Sequence, residues 1–300
     1  MINLKIGLAL SGGGIRGVAH AGVLKALEEN KISIDIIGGT SSGSLVASLY
    51  AMGYKPNYIY LLFQRYAKEM VGMDFMPIFN GMGKFIKNKK FQIVGFNNGK
   101  NIEKEYNTLA SNKGIKNISD VKMPLIITSV DINVAKEYIF TNNIPANTQE
   151  ESKYITDIPI GLAVRASSSF PGIFCPCKYK KHHFLDGGIL DNIPVREIKK
   201  QGADIVIAVN FKSDEVDDNS NIVDITMRTL DIMGNKISEQ NLKKYSDYTI
   251  TIETNKTGLL DCKKIEECYL SGYKFGKEAI KDIYKILEQC GNVGDTPNRS

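Results

Sequence analysis

Three hundred residues, 43% hydrophobic and 24% charged with a net charge of +5, have the balance of a globular chain long enough for a sizeable core. That charge is too small for a dedicated nucleic-acid binder, and no apolar run approaches the roughly 20 residues of a membrane span. The cysteines (Cys175, Cys177, Cys262, Cys268 and Cys290) are odd in number and form no paired C-x-x-C knuckles, which points to a reduced, cytoplasmic setting without a structural metal.

Strand and helix patterns alternate along the chain. The opening "MINLKIGLAL" carries no small-residue cleavage site, so no signal peptide is expected, and it predicts a strand over 3–10. A helix follows over 17–30, then a strand over 33–38 and helices over 42–53 and 55–70. Residues 71–100 are rich in Met, Phe, Gly and Lys without clear period, the composition of an insertion that could serve as a lid. Next come a helix over 100–112, a buried strand over 124–132 with "KEYIFTN" as its partner, and a helix over 157–169 stopped by Pro171. "HFLDGGI" reads as a strand running into a glycine turn, "VREIKKQG" as a short helix and "ADIVIAVNF" as a buried strand. A helix over 222–245, the strand "DYTITIET", a long helix over 264–290 and a disordered tail over 291–300 complete the chain. The pattern predicts one doubly wound α/β domain over 1–290 with a mostly parallel sheet.

The first strand–helix junction, "LALSGGGIRGV", contains G-x-G-x-x-G at Gly12, Gly14 and Gly17. Backbone amides in such a loop and the helix N-terminus behind it make an anion cradle. A dinucleotide fold would add an acid at the end of the second strand. Asp35 has acceptable spacing but lies near that strand's start. The strand ends instead in Gly39-Thr40-Ser41-Ser42-Gly43, a G-x-S-x-G pentapeptide between a strand and a helix. Such a turn raises Ser41 above the sheet, with Gly39 and Gly43 keeping the turn clear; the bland reading is that Ser41 or Ser42 merely caps the helix. With Ser41 as nucleophile, the amides of Gly12, Gly13 and Gly14 become an oxyanion hole. Arg16 then either adds charge or ties the loop to the body.

A serine needs a base. The three histidines are His20 on the first helix and His182 and His183 in a basic hairpin, and none follows His183 as a hydrolase triad would prefer. Asp186 in "FLDGGILDNIPV" is the stronger candidate, because Gly187 and Gly188 leave it open to close approach and Asn192 and Pro194 shape the exit. A free aspartate is a poor base at neutral pH, so the site must be partly buried and apolar. Two cation–aromatic clusters, "GKFIKNKKF" (83–91) and "KYKKHHF" (178–184), read either as solvated loop faces or as contacts with anionic headgroups.

"GGGIRG", "GTSSG" and "DGG", in this order over roughly residues 5–210, resemble the patatin-like phospholipases, and "ASSSFPGIF" (166–174) resembles that family's segment before the acidic turn. The resemblance implies a three-layer α/β/α fold and a Ser–Asp dyad without histidine. It implies hydrolysis of lipid acyl esters, of the phospholipase A or lysophospholipase type, with no cofactor or metal. On that basis Ser41 is the nucleophile, Asp186 the base, and Gly12, Gly13, Gly14 and Arg16 the oxyanion hole, with Gly39, Gly43, Gly187 and Gly188 supporting the turns. Ser42, Ser44 and Ser169-Phe170 depart from the usual pattern and bear on the acyl pocket. The expected setting is cytoplasmic or peripheral at an anionic membrane surface, with a lipid ester as substrate and no nucleic acid. Acyl transfer or thioester cleavage at the same dyad, a nucleotide-binding oxidoreductase and a catalytically silent lipid-binding module are the rival readings.

Overall fold

The structure is a computed structural model that describes residues 4–71, 98–146, 148, 153–212, 222–254, 257 and 261–292. The expected lid over 71–100 and the first cation–aromatic cluster fall almost wholly outside the described residues, as does the tail from 293 onward.

Five strands run parallel in the order β3 (Leu125–Asp131), β2 (Ile36–Gly39), β1 (Ile6–Leu10), β8 (Ile205–Phe211), β9 (Tyr248–Ile252). β4 (Lys136–Thr141) returns antiparallel on the outer side of β3, and the short β5 (Tyr154–Ile155) pairs parallel with β4 at the edge. A hairpin of β6 (Cys177–Tyr179) and β7 (His182–Asp186) is less regular. β7 pairs antiparallel with the last residues of β3, on the side where β2 has already ended. The mostly parallel reading is right, and the antiparallel pairings lie on the side of β3, with β4, β6 and β7.

Period-two alternation divides the interior into two cores, one on each face. Ile6, Leu8 and Leu10 of β1, with Ile205, Ile207 and Val209 of β8, face one core together with α1 (Val18–Glu29) and α8 (Ile265–Asn292). Ala9, Val206 and Ala208 face the other, with Val195 and Ile198 of the short helix α6 (Val195–Lys200) and Leu242 of α7 (Ile222–Tyr245). Helices on both faces of one sheet are the three layers expected. The remaining helices are α2 (Ser42–Ala51), α3 (Pro56–Val71), α4 (Lys100–Ser111) and α5 (Ile160–Ser167). α1 and α8 cross in backbone contact: a Cβ on Gly272 would collide with Ala19 O, and one on Gly22 would lie 2.5 Å from Tyr273 N.

Several boundaries differ from the sequence expectation. β2 begins at Ile36 rather than residue 33; just before it the Asp35 carboxylate accepts Ile6 N–H at 2.8 Å while Asp35 N–H donates to Ile6 O at 2.9 Å. The first helix begins as a 3-10 turn, Gly14–Gly17, before α1. α5 covers only Ile160–Ser167 of the expected 157–169, since Pro159 sits at its N-cap and the chain turns away at Ser168 and Ser169. α8 continues to Asn292, two residues into the expected tail.

Candidate active site

The elbow is built by the end of β2. Gly39 pairs with Leu10 on one side and Ile127 on the other, and Thr40 N–H donates to Leu10 O at 3.1 Å. The Thr40 hydroxyl is buried, shares a 2.6 Å hydrogen bond with the Thr128 hydroxyl and donates to Asp191 O at 3.0 Å. The next residue, Ser41, has φ 51° and ψ −123°. A side-chain-bearing residue in that region costs on the order of 1–3 kcal/mol, so the surroundings must impose it. They do so from both sides: Ser41 N–H donates to Ser167 Oγ of α5 at 2.9 Å, and Ser41 O accepts from Ser44 and Leu45 at the start of α2. Side chains on the flanking glycines would collide, Gly39 with the Gly43 carbonyl and Gly43 with Leu10 O. The Ser41 side chain makes no capping hydrogen bond, which sets aside the helix-cap reading for that residue. Ser41 is half-buried, whereas Ser42 beside it is buried.

The glycine loop follows β1 and sits against this turn. A Cβ on Gly12 would lie 3.2 Å from Ser41 Cβ and 2.6 Å from Asn192 Oδ1. Gly12 N–H donates to Asn192 Oδ1 at 3.1 Å and to Asn192 O at 3.3 Å. This departs from the expectation that the amides of Gly12, Gly13 and Gly14 act alike, because the first already has its acceptors. Gly14 is left-handed (φ 58°), and the first internal bond of the 3-10 turn runs from Arg16 N–H to Gly13 O, so the Gly13 and Gly14 amides precede it. Arg16 is buried, its guanidinium 5.2 Å above the Phe211 ring and its Nε 3.4 Å from Gly13 O. It braces the loop from beneath. His20 does likewise: its ring packs on Phe211 and Nε2–H donates to Ser11 O at 2.8 Å. Burial outweighs that hydrogen bond and lowers the His20 pKa to about 4, so the ring is neutral at neutral pH.

Asp186 ends β7 and pairs with Ser129 of β3. Only 3% of it is exposed, which meets the requirement for a sheltered carboxylate. Its N–H donates to Ser169 O at 3.0 Å, and its Oδ1 accepts Gly188 N–H at 2.9 Å, which fixes the carboxylate plane. A Cβ on Gly187 would collide with Thr128 Oγ1, the atom bonded to Thr40, and one on Gly188 would lie 3.1 Å from Asn192 Oδ1. The D-G-G turn is thus tied to the elbow through Thr128 and to the glycine loop through Asn192, and the motifs meet at the carboxyl ends of β1, β2 and β3. In the sequence Asn192 reads only as a turn residue, and its amide side chain in the apolar run "ILDNIPV" is the one sign of a larger part. Ser167 left no comparable signal. Beside Asn192, the Asp191 carboxyl is buried, and burial together with the charge of Glu137 raises its pKa well above the usual range.

The other residues considered lie elsewhere. Asp35 is at the opposite end of the sheet from the glycine loop, bonded to Ile6 N–H, and does not serve a ribose. His182 Nδ1 is 2.6 Å from Asp131 Oδ2, and His183 Nδ1 is 2.8 Å from Asn133 Nδ2. No group of three or more His, Cys, Asp or Glu side chains among the described residues is arranged to hold a metal, and all five cysteines are free. No helix among the described residues is long and apolar enough to cross a membrane.

A serine in a strained strand–helix turn, a glycine loop at a helix start and a sheltered carboxylate are thus gathered at one end of an α/β sheet. The sequence profile of the patatin-like phospholipases matches residues 8–198, from within β1 to within α6, and the chain belongs to that family. Lysophospholipase NTE1 of Meyerozyma guilliermondii is 28% identical over 98% of this chain and 20% of its own length. Lysophospholipase NTE1 of Debaryomyces hansenii is 33% identical over 73% of this chain and 12% of its own. The chain therefore spans a fifth or less of these two relatives. The crystal structure of VipD from Legionella pneumophila aligns with a TM-score of 0.48 at 15% identity, covering 93% of this chain and 67% of that one.

Proposed function

We propose that this chain hydrolyses acyl ester bonds of lipids, as a phospholipase A or lysophospholipase-type enzyme, through Ser41 and Asp186. The observation that carries the reading is the enforced backbone of Ser41, φ 51° and ψ −123°, with Gly12 packed against its Cβ. A serine is held in so unfavourable a conformation when its hydroxyl must be presented to a ligand. Family membership and the naming of relatives as lysophospholipases support the choice of a lipid ester.

In this mechanism Asp186 accepts the Ser41 proton as Oγ attacks the ester carbonyl, and an oxyanion forms. The amides of Gly13 and Gly14 donate to it, each such donor being worth about 3 kcal/mol. Gly12 serves by fixing the loop to Asn192, and Arg16 by holding its shape over Phe211. Collapse of the intermediate expels the lysolipid or glycerol-phosphate alcohol, which takes the proton from Asp186. A water then gives its proton to Asp186 and attacks the acyl-enzyme, and collapse releases the fatty acid as Ser41 Oγ takes that proton back from Asp186. Neutral His20, turned to Ser11 O, takes no part.

The test is turnover of a chain-length series of nitrophenyl esters and of lysophospholipid. Ser41→Ala and Asp186→Asn should each lose at least about a thousandfold in kcat/KM, while a His20→Gln/His182→Gln/His183→Gln protein keeps activity within a few-fold. An active Asp186→Asn protein beside a dead histidine variant would overturn the dyad.

A further inference from the structure

The turn between β3 and β4 presents two large apolar side chains to solvent: Ile132 is 53% exposed and Val134 52%. Isolated exposed apolar residues are ordinary. These two are set apart by the rigidity of their support, the charge around them and the end of the sheet they occupy.

The support is a pair of linked hairpins. Asn133 N–H donates to Asp131 Oδ1 at 3.0 Å, and Ala135 closes the turn with φ 50°. Ile132 N–H donates to His183 O at 3.0 Å, and the Asn133 amide meets the His183 ring at 2.8 Å. The tip of the β3–β4 turn is thereby fastened to the β6–β7 hairpin. Four exposed lysines belong to the same pair of hairpins: Lys136 on β4, and Lys178, Lys180 and Lys181 on and beside the β6–β7 turn. Asp157 is the acid opposite Lys180, at 3.7 Å, with both side chains mostly exposed, a geometry that contributes little and leaves the ammonium available.

The position follows from strand register. β1, β2 and β3 run parallel, and the glycine loop and Ser41 follow the carboxyl ends of the first two. Asp186 is opposite Ser129, and Ile132 is three residues further along β3, so the tip stands about 10 Å beyond the level of Asp186 at the same edge of the sheet. An apolar tip flanked by ammonium groups matches the layering of an anionic bilayer surface, with acyl chains below and phosphates above. Two side chains on one turn are a small apolar area for a protein interface.

We propose that the Ile132–Val134 turn inserts into the headgroup–acyl boundary of an anionic phospholipid bilayer, with Lys136, Lys178, Lys180 and Lys181 on the phosphates, seating the Ser41 edge of the sheet on the membrane. The proposal builds on the lipid-ester reading of Ser41, yet it is measured separately from it. Co-sedimentation is run with vesicles of phosphatidylcholine alone and of phosphatidylcholine with about one-third phosphatidylserine. The protein should prefer the anionic vesicles. Ile132→Ser/Val134→Ser should weaken binding to them by about tenfold or more, and Lys178→Gln/Lys180→Gln/Lys181→Gln by roughly fivefold per lysine with loss of salt sensitivity. Both variants should keep thermal stability and turnover of a soluble short-chain ester. Anionic vesicle binding that is absent in the unaltered protein, or unchanged by Ile132→Ser/Val134→Ser, overturns the proposal. So does a dimer that the same substitutions dissociate without any vesicle binding, which would make a second copy the occupant. Turn-dependent vesicle binding by a protein inactive on every ester would uphold the docking surface and reject the hydrolase reading alone.

Discussion

Asn192 holds Gly12 twice, its backbone oxygen and its Oδ1 both accepting the one amide, at 3.3 and 3.1 Å. The same Oδ1 lies 3.1 Å from the Cβ position of Gly188, which in turn donates to Asp186. One side chain thus spaces the glycine loop against the acidic turn. Asn192→Ala should lower kcat on a soluble ester by about 10- to 100-fold while KM changes less than about threefold, since the loop and carboxylate lose alignment and not substrate contact. Asn192→Asp keeps an acceptor for Gly12 and should recover part of the alignment. A proportional rise in KM, or an unchanged kcat in Asn192→Ala, would remove Asn192 from this role.

His20 makes stability depend on pH in one direction. Its folded pKa is about 4 against 6.5 when unfolded, so between these values the unfolded chain binds a proton that the folded protein does not. Stability therefore falls as pH drops from about 6.5 to about 4, by an amount on the order of 3 kcal/mol. Gln in its place can still donate to Ser11 O without titrating. Urea midpoints measured across that window should fall less steeply for His20→Gln than for the unaltered protein, and parallel curves would refute the buried neutral ring.

Asp191 acts in the opposite sense. Burial, then the charge of Glu137, raises its folded pKa well above 3.8, with Arg196 opposing in part. The folded state holds a proton that the unfolded state has released, so this contribution weakens as pH rises above about 4. Asp191→Asn replaces the neutral acid with a neutral isostere. Its melting temperature relative to the unaltered protein should rise between about pH 4 and pH 8. A difference that stays constant with pH would mean that Asp191 is not held protonated.

The parts of the candidate site that lie within one strand–turn–helix unit were legible in the sequence as local geometry. Ser41 and the glycine loop each sit between an apolar strand and an apolar helix, and the backbone geometry follows from a few neighbouring residues. Asp186 was legible because two glycines mark a tight turn. What joins these units was hidden, since Asn192 reaches Gly12 across 180 positions and Ser167 reaches Ser41 across 126. A turn asparagine and a helical serine look the same whether or not their side chains have such a partner. The antiparallel β7 was hidden for a related reason: its place beside β3 depends on β2 ending at Gly39, which frees the edge at Ser129. The strand itself was legible as an apolar run, and its alternation of Ile6, Leu8 and Leu10 with Gly7 and Ala9 gives the sheet two faces of different bulk.

The crossing of α1 and α8 tests whether close packing or intrinsic propensity governs a helical glycine. Replacing Gly by Ala in a helix interior gains about 1 kcal/mol from propensity. At Gly272 the added methyl would collide with Ala19 O, a backbone atom of α1 that cannot rotate away, so the helices must separate. Overpacking of this kind costs typically 1–3 kcal/mol and loosens the neighbouring contacts as well. Gly272→Ala should therefore lower the urea midpoint despite the gain in propensity. Gly291 lies in the last turn of the same helix with nothing within 4 Å of its Cβ position, and Gly291→Ala should leave the midpoint unchanged or slightly raised. If both substitutions stabilise, α1 and α8 are not in backbone contact in solution, and the face of β1 beneath them is packed less tightly than the structure describes.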